Sequence, residues 1–136
     1  MRTDDDLRAL LSRARCIAVL GAHPDPTKPA HYVPDYLHRR GVRILPANPV
    51  YAGQVLWGEP VRASLLDIRE AVDVVDVFRR SEQVADHVDE ILALRPALAW
   101  LQSGIRDDAA ARTLEGAGIA VVQDRCLMVE HRRLLG

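Results

Sequence analysis

The sequence predicts a single α/β domain over residues 1–136, a doubly wound parallel sheet of about five strands with helices on both faces. Short apolar runs rich in β-branched residues alternate with segments of helical periodicity, which is typical of right-handed βαβ crossovers. With 49% of its residues apolar, the chain can bury one core without disulfides. The apolar runs end at small or polar residues, as buried parallel strands do at their carboxyl edge.

The amino-terminal part predicts a helix followed by a strand. Thr3 and Asp6 have capping-box spacing, so we expect an opening helix over the leucines that follow. The apolar run that begins at Cys16 predicts the first strand. Three prolines between residues 24 and 29 remove backbone donors, and they therefore predict an ordered loop after this strand.

A second amphipathic helix is expected over about residues 31–40. Pro34 is tolerated there if it lies in the first turn, and Gly41 provides a left-handed cap. The remaining predicted elements are, in chain order, a strand at 42–47, a glycine-punctuated connection at 51–59, a short helix over 65–68 capped by Ser64, a strand at 72–78, a helix beginning at Ser81, a strand at 98–101, a helix at 108–117, a strand at 119–122 and a terminal helix.

The charge balance excludes several classes of partner. Lys and Arg number 18 against 19 for Asp and Glu, so the net charge of −1 provides no field to hold nucleic acid or an anionic membrane. The start of the chain is acidic where a signal peptide would be basic, so we expect a soluble cytoplasmic protein. A homo-oligomer or an unidentified protein partner is left open.

The two cysteines are expected to be free thiols. Cys16 opens the first strand and Cys126 follows the last one. If one strand separates them, they are about 10 Å apart, which is more than a disulfide spans.

The candidate binding residues follow the predicted strands, because the carboxyl ends of parallel strands share the edge where ligands bind. Small residues there let backbone N–H groups approach a phosphate, and guanidinium groups bind its oxygens. In chain order the candidates are Gly21, Ala22 and His23, Lys28 in the proline-rich loop, Asn48 and Pro49, Phe78, Arg79 and Arg80, Gln102, Ser103 and Gly104, and Cys126.

Five motifs at these strand ends carry a resemblance over nearly the whole chain. They are, in order, G-A-x-P, N-P-x-x-x-G-x-x-x-x-G, D-V-V-D-V-F-R-R, W-L-Q-x-G and V-V-x-D-R-C. The succession resembles the small bacterial CoA-binding domain proteins, which are related to the CoA-binding domain of the succinyl-CoA synthetase alpha subunit. The resemblance implies a Rossmann-like domain that binds coenzyme A or an acyl-CoA as a binding or sensing module, with no established catalytic role.

The resemblance also implies roles for the candidate residues. The turn at Gly21 would meet the CoA phosphates, and the turn at Asn48 and Pro49 would follow the second strand. Lys28, Arg79 and Arg80 are the candidate phosphate partners. The adenine and pantetheine sides of the groove would be lined by Phe78 with Arg79 and Arg80, and by Gln102, Ser103 and Gly104.

The alternative from another class is an NAD(P)-linked oxidoreductase or redox sensor on the same fold. A dinucleotide site favours G-x-G-x-x-G and an acidic residue after the second strand, whereas this chain has G-A-H-P-D-P and ends that strand at Ala47-Asn48. An acyl-CoA ligase would need machinery from a partner chain. His31 and His38 lack a third ligand at zinc spacing, so no metal site is expected.

Two further patterns have plain structural interpretations. Asp73 and Asp76 look like a carboxylate pair, but their spacing in a strand points them to opposite faces, so we interpret them as structural. Cys126 is either a packed, inert thiol or, beside Arg125 at the ligand edge, a thiol that can react with CoA disulfide.

Overall fold

Residues 2–136 are described by a computed structural model, in which five parallel strands form the central sheet. The strands are β1 Cys16–Leu20, β2 Arg43–Ala47, β5 Val74–Val77, β6 Leu98–Leu101 and β7 Ala120–Val122; β3 Val55–Leu56 and β4 Glu59–Pro60 form a separate hairpin. The helices are α1 Asp4–Ser12, α2 Pro29–His38, α3 Val88–Leu94, α4 Asp108–Gly116 and α5 Leu127–Leu135. The predicted fold class is confirmed.

The order of the strands places a switch point in the middle of the sheet. The order is β2-β1-β5-β6-β7, so the chain moves outward from β1 on one side to β2 and on the other to β5. In sheets of this type ligands bind outside the carboxyl ends of the strands at that reversal. The topology therefore predicts a ligand site at the carboxyl ends of β1 and β5.

Two apolar layers cover the sheet. Helices α1, α2 and α5 pack on one face around Ile17, Val19 and Trp100. Helices α3 and α4 cover the other face, where Ala18, Leu20 and their neighbours are buried. Successive residues of β1 therefore point into alternate apolar layers, as they do in a strand that is buried on both faces.

The second helix begins earlier than expected and contains Pro34 in its interior. Helix α2 starts at Pro29, which suits the first helical position, so Pro34 is its sixth residue and the prediction of a first-turn proline is wrong. Because Pro34 has no N–H, the Ala30 carbonyl lacks its helical partner and accepts instead from the His23 N–H at 3.3 Å. The proline thereby ties α2 to the turn after β1.

Other predictions hold with shifted boundaries. Thr3 and Asp6 form the expected capping box, and Gly41 has the left-handed conformation after α2. The strand expected at 72–78 is shorter, because Asp73 lies before it and accepts hydrogen bonds from the Arg15 and Cys16 N–H groups. The helix expected to begin at Ser81 starts as a 3₁₀ segment that leads into α3.

Both cysteines are free, but the expected separation was wrong. Cys16 opens β1 and Cys126 precedes α5, and two strands, β5 and β6, lie between β1 and β7. The two thiols also lie at opposite ends of the strands, since Cys16 begins β1 and Cys126 follows β7. Partial burial raises the pKa of the Cys16 thiol.

Across residues 2–136, no helix is both long and apolar enough to cross a membrane.

Candidate functional site

A cavity of about 780 Å³ opens above the carboxyl ends of β1, β5 and β6. It lies at the switch point, and the first turns of α2 and α5 form its side walls. Of the candidate residues, all except Ala22, Asn48 and Pro49 line it. The lining residues predicted from the sequence are Gly21, His23, Lys28, Phe78, Arg79, Arg80, Gln102, Ser103, Gly104 and Cys126.

Gly21 forms the floor of the cavity where β1 and β5 come closest. Its φ of +92° suits glycine, and its N–H donates to the Ala47 carbonyl at 2.8 Å. A Cβ atom at this position would collide with the carbonyl group of Phe78, whose carbon would be only 3.1 Å away. Only glycine therefore lets the two strand ends approach one another.

Asn48 and Ala22 lie beneath the first turn. Asn48 is buried; its Nδ2 donates to the Ala22 carbonyl at 2.9 Å, and its Oδ1 accepts from the Val50 N–H at 3.0 Å. Ala22 is fully buried and Pro49 is exposed outside the cavity. These three residues shape the turns after β1 and β2, since none of them faces the cavity.

His23 is held in one tautomer by its neighbours. The Asp25 N–H donates to His23 Nδ1 at 3.0 Å, so the ring proton is on Nε2, which lies 3.0 Å from the Tyr51 hydroxyl oxygen. Because Tyr51 accepts that hydrogen bond, its own O–H is free to donate. His31 Nδ1 lies 2.9 Å from the His23 carbonyl and donates to it.

Sequence reasoning missed Tyr51 and His31. Tyr51 is 28 positions from His23 and reaches it only because β2 pairs with β1. His31 braces the first turn through its hydrogen bond to the His23 carbonyl. Within residues 2–136 no group of three or more His, Cys, Asp or Glu side chains is arranged to hold a metal ion.

The charges that line the cavity all have one sign. Lys28, Arg79 and Arg80 line it, and neither Asp nor Glu is among its lining residues. In the described part of the chain none of these three cations forms an ion pair with a carboxylate. Arg79 Nε is buried and has no hydrogen-bond partner between residues 2 and 136. The first turns of α2 and α5 add the positive ends of two helix dipoles.

The other lining side chains are largely apolar. Phe78, Ile105, Met128 and Val129 contribute hydrocarbon surface, and Tyr32 on α2 also lines the cavity. Val129 and Tyr32 are 50% and 42% exposed. The lining therefore combines cations with hydrocarbon surface.

Gln102 lines the cavity directly after β6. Its side chain is almost fully buried, and its Oε1 accepts from the Leu127 N–H in the first turn of α5 at 3.1 Å. A backbone N–H needs an oxygen, so this contact assigns the amide orientation and leaves Nε2 as the outward group. On the far side, Gly104 is held by its N–H, which donates to Asp124 Oδ1 at 2.6 Å.

Asp76 lies one row below the cavity floor. It pairs with Val19 and Trp100 in the neighbouring strands and shares a sheet face with Phe78, two residues further along. Its side chain is fully buried, and neither carboxyl oxygen has a hydrogen-bond partner within the described chain. Burial raises the pKa of the Asp76 carboxyl well above its usual range, so we infer that the group is neutral in the folded protein.

Comparisons with known proteins identify the family and the fold. Residues 15–132 match the family model described as the CoA binding domain. A Thermus thermophilus protein described as cell-free ID.343 has 58% identity and a TM-score of 0.96, with 98% of this chain and 100% of that one covered. A hypothetical protein from Pyrococcus horikoshii OT3 has 36% identity and a TM-score of 0.92, covering 99% and 94%. The uncharacterised protein YneT of Bacillus subtilis is 32% identical over 126 residues, 93% of this chain and 92% of YneT.

Proposed function

We propose that this chain, which belongs to the CoA-binding domain family, binds coenzyme A in the cavity at the switch point and acts as a binding or sensing module. The observation that carries the proposal is the charge of the lining. Three cations without carboxylate partners line a cavity that contains no acidic side chain. Such a site favours a ligand with several phosphate groups.

The cations of the lining suit the phosphates of CoA. In this placement the pyrophosphate lies beside the Gly21 turn, at the positive end of the α2 dipole. The N–H groups of the turn itself are not free to bind it, because Gly21 and Ala22 donate to the Ala47 carbonyl and His23 donates to the Ala30 carbonyl. The Arg79 and Arg80 guanidinium groups take the 3′-phosphate, and Lys28 supports either phosphate group. The position of Arg79 supports this assignment, because its side chain lines the cavity and forms no ion pair with a carboxylate of residues 2–136.

The pantetheine arm then extends from the phosphates across the end of β5. Phe78 supplies a flat apolar surface, and Ser103 and Gly104 border the path above β6. The thiol end would come to lie near Gln102 and Cys126. The charge of the lining residues supports this orientation, since phosphates need the cations and the arm does not.

Native mass spectrometry of the protein as purified tests the proposal. We expect a co-purified ligand with the mass of CoA or of an acyl-CoA, which is released on denaturation. A bound mass equal to NAD or NADP would favour the oxidoreductase alternative instead. Addition of equimolar CoA and NAD⁺ to ligand-free protein is the control, and CoA should be the adduct that survives transfer to the gas phase.

A further inference from the structure

We infer that the site is built for an acyl thioester of CoA, with the thioester carbonyl on Gln102 Nε2 and an apolar acyl chain between α2 and α5. This inference rests on the proposed binding of CoA and specifies the class of ligand. Two independent features carry it: an oriented donor in the lining of the cavity, and apolar side chains on α2 and α5 that continue from the lining to the surface.

The Gln102 carboxamide is a donor whose direction is determined by the fold. It is only 4% exposed, and its oxygen is occupied by the Leu127 N–H. No atom of residues 2–136 accepts a hydrogen bond from its Nε2, which is not sealed in the core because Gln102 lines the cavity. The group can therefore only donate to a ligand or to water, and a carbonyl oxygen is the acceptor that it suits.

The side chains of the wall beside Gln102 are apolar. Cys126, Met128 and Val129 present sulfur and hydrocarbon to the cavity. An alkyl chain packed against these side chains buries apolar surface and loses no hydrogen bond to water.

The apolar wall continues to the surface. Val129 on α5 and Tyr32 on α2 are half-exposed on either side of the opening, although both are large apolar residues. A chain that leaves Gln102 in this direction passes between them and covers both. Charge supports the same direction, because none of the cations that line the cavity lies on α5.

The test compares three ligands by calorimetry: CoA, octanoyl-CoA and S-octyl-CoA, a thioether that keeps a chain of the same length but lacks the thioester carbonyl. For the wild-type protein we expect octanoyl-CoA to bind at least tenfold tighter than CoA, since each buried methylene adds to affinity. We expect S-octyl-CoA to fall between the two, because it fills the same opening without a bond to Gln102.

Two variants separate the two features. Gln102→Glu keeps an oxygen for the Leu127 N–H but removes the outward NH₂, and we expect it to abolish the preference for octanoyl-CoA over S-octyl-CoA. Val129→Asn should reduce the ratio of octanoyl-CoA to CoA affinity at least threefold. Val55→Asn is the matched control, because Val55 is 67% exposed on the β3 hairpin and does not line the cavity, so its ratio should equal that of the wild type.

The possible results separate a preference for acyl-CoA from the binding of CoA itself. Binding of CoA with equal or weaker binding of octanoyl-CoA would overturn the inference and leave CoA binding intact. An octanoyl preference that Val129→Asn and Gln102→Glu both leave unchanged would overturn the placement. Failure of the folded wild-type protein to bind any of the three ligands would overturn both.

Discussion

Gly21 and Phe78 are in such close approach at the ends of β1 and β5 that a Cβ atom on Gly21 would collide with the Phe78 carbonyl group. The contact is between backbones, so no side-chain movement relieves it. It sets the depth of the cavity floor at the switch point, and it joins the turn after β1 to the segment that carries Arg79 and Arg80.

The Gly21→Ala variant should therefore lose both stability and CoA affinity. Residue 21 must keep a φ of +92°, and a collision with backbone is added to that strain. Gly41→Ala is the matched control, because Gly41 has a φ of +87° and open space around its Cβ position. In urea unfolding we expect Gly41→Ala to cost about 1 kcal/mol and Gly21→Ala to cost at least about 1 kcal/mol more. Equal losses would show that the approach to Phe78 is relaxed without cost.

The buried Asp76 predicts an unusual dependence of stability on pH. Burial raises the pKa of its carboxyl in the folded protein above the ordinary value of 3.8. At a pH between 3.8 and the raised pKa, the folded state binds more protons than the unfolded state. The contribution of Asp76 to stability is therefore fully present below pH 3.8 and is lost as the pH rises through the raised pKa. The loss is about 1.4 kcal/mol for each pH unit in that interval.

Asp76→Asn removes this titration without changing the shape of the side chain. Chemical unfolding of both proteins across acidic to neutral pH should show near-equal stability at the lowest pH and a growing advantage for the variant as pH rises. Asp76→Leu should stabilise the protein at neutral pH as well, because the unpartnered polar atoms are gone. A difference that does not change with pH would contradict the neutral, unpartnered carboxyl.

The hydroxyl of Tyr51 is expected to support CoA binding through His23. His23 Nε2 donates to that oxygen, and His23 lines the cavity whereas Tyr51 does not. Tyr51→Phe should weaken CoA binding about threefold, because the His23 ring loses the hydrogen bond that orients it. Calorimetry measures the affinity and circular dichroism checks the fold. Unchanged affinity in a folded variant would show that the orientation of His23 does not matter for CoA binding.

Cys126 provides a probe of ligand orientation. If the pantetheine thiol end lies near it, the Cys126 thiolate can attack one sulfur of CoA disulfide, forming a protein–CoA disulfide and releasing one CoA thiolate. Mass spectrometry should show one CoA added, lost again with reductant and absent in Cys126→Ser. Cys16→Ser is the control, because Cys16 begins β1 and so lies at the opposite end of the strands. An adduct on Cys16, or none on the wild type, would contradict the orientation.

The sequence predicted the cavity better than it predicted how the cavity is held together. Strand ends can be found from apolar runs, so Gly21, Phe78 and Gln102 could be placed at one edge before any coordinates. The role of Asn48 could not be predicted. An asparagine after a strand can support a neighbouring turn or contact a ligand, and the sequence is the same in both cases. The hydrogen bond from His23 to Tyr51 depends on strand pairing, which cannot be read from the spacing of nearby residues.

Helix boundaries show the same limit. Pro34 was expected in a first turn because an interior proline is costly in an isolated helix. In the folded protein the carbonyl that it leaves free, that of Ala30, is satisfied by the His23 N–H. A tertiary contact thus offsets a local penalty, and local rules cannot anticipate that contact.

The arginine pair offers the most direct test, because the account depends on cations that hold phosphates. Arg79→Ala with Arg80→Ala removes two of them, and Arg13→Ala with Arg112→Ala removes the same charge from exposed positions outside the cavity. Dephospho-CoA, which lacks the 3′-phosphate, shows which phosphate the pair contacts. If it is the 3′-phosphate, the double variant should lose affinity for CoA and much less for dephospho-CoA.

The deciding measurement is a calorimetric titration of CoA into these three proteins at one salt concentration, with NAD⁺ titrated into the wild type. We predict a dissociation constant on the order of micromolar for wild-type CoA binding, weaker binding of NAD⁺, and at least tenfold weaker CoA binding by the cavity double variant, since a charge-assisted hydrogen bond contributes about 1.5–3 kcal/mol. The surface double variant should match the wild type within about twofold. Wild-type affinity in the cavity variant, or tighter binding of NAD⁺ than of CoA, would contradict the account.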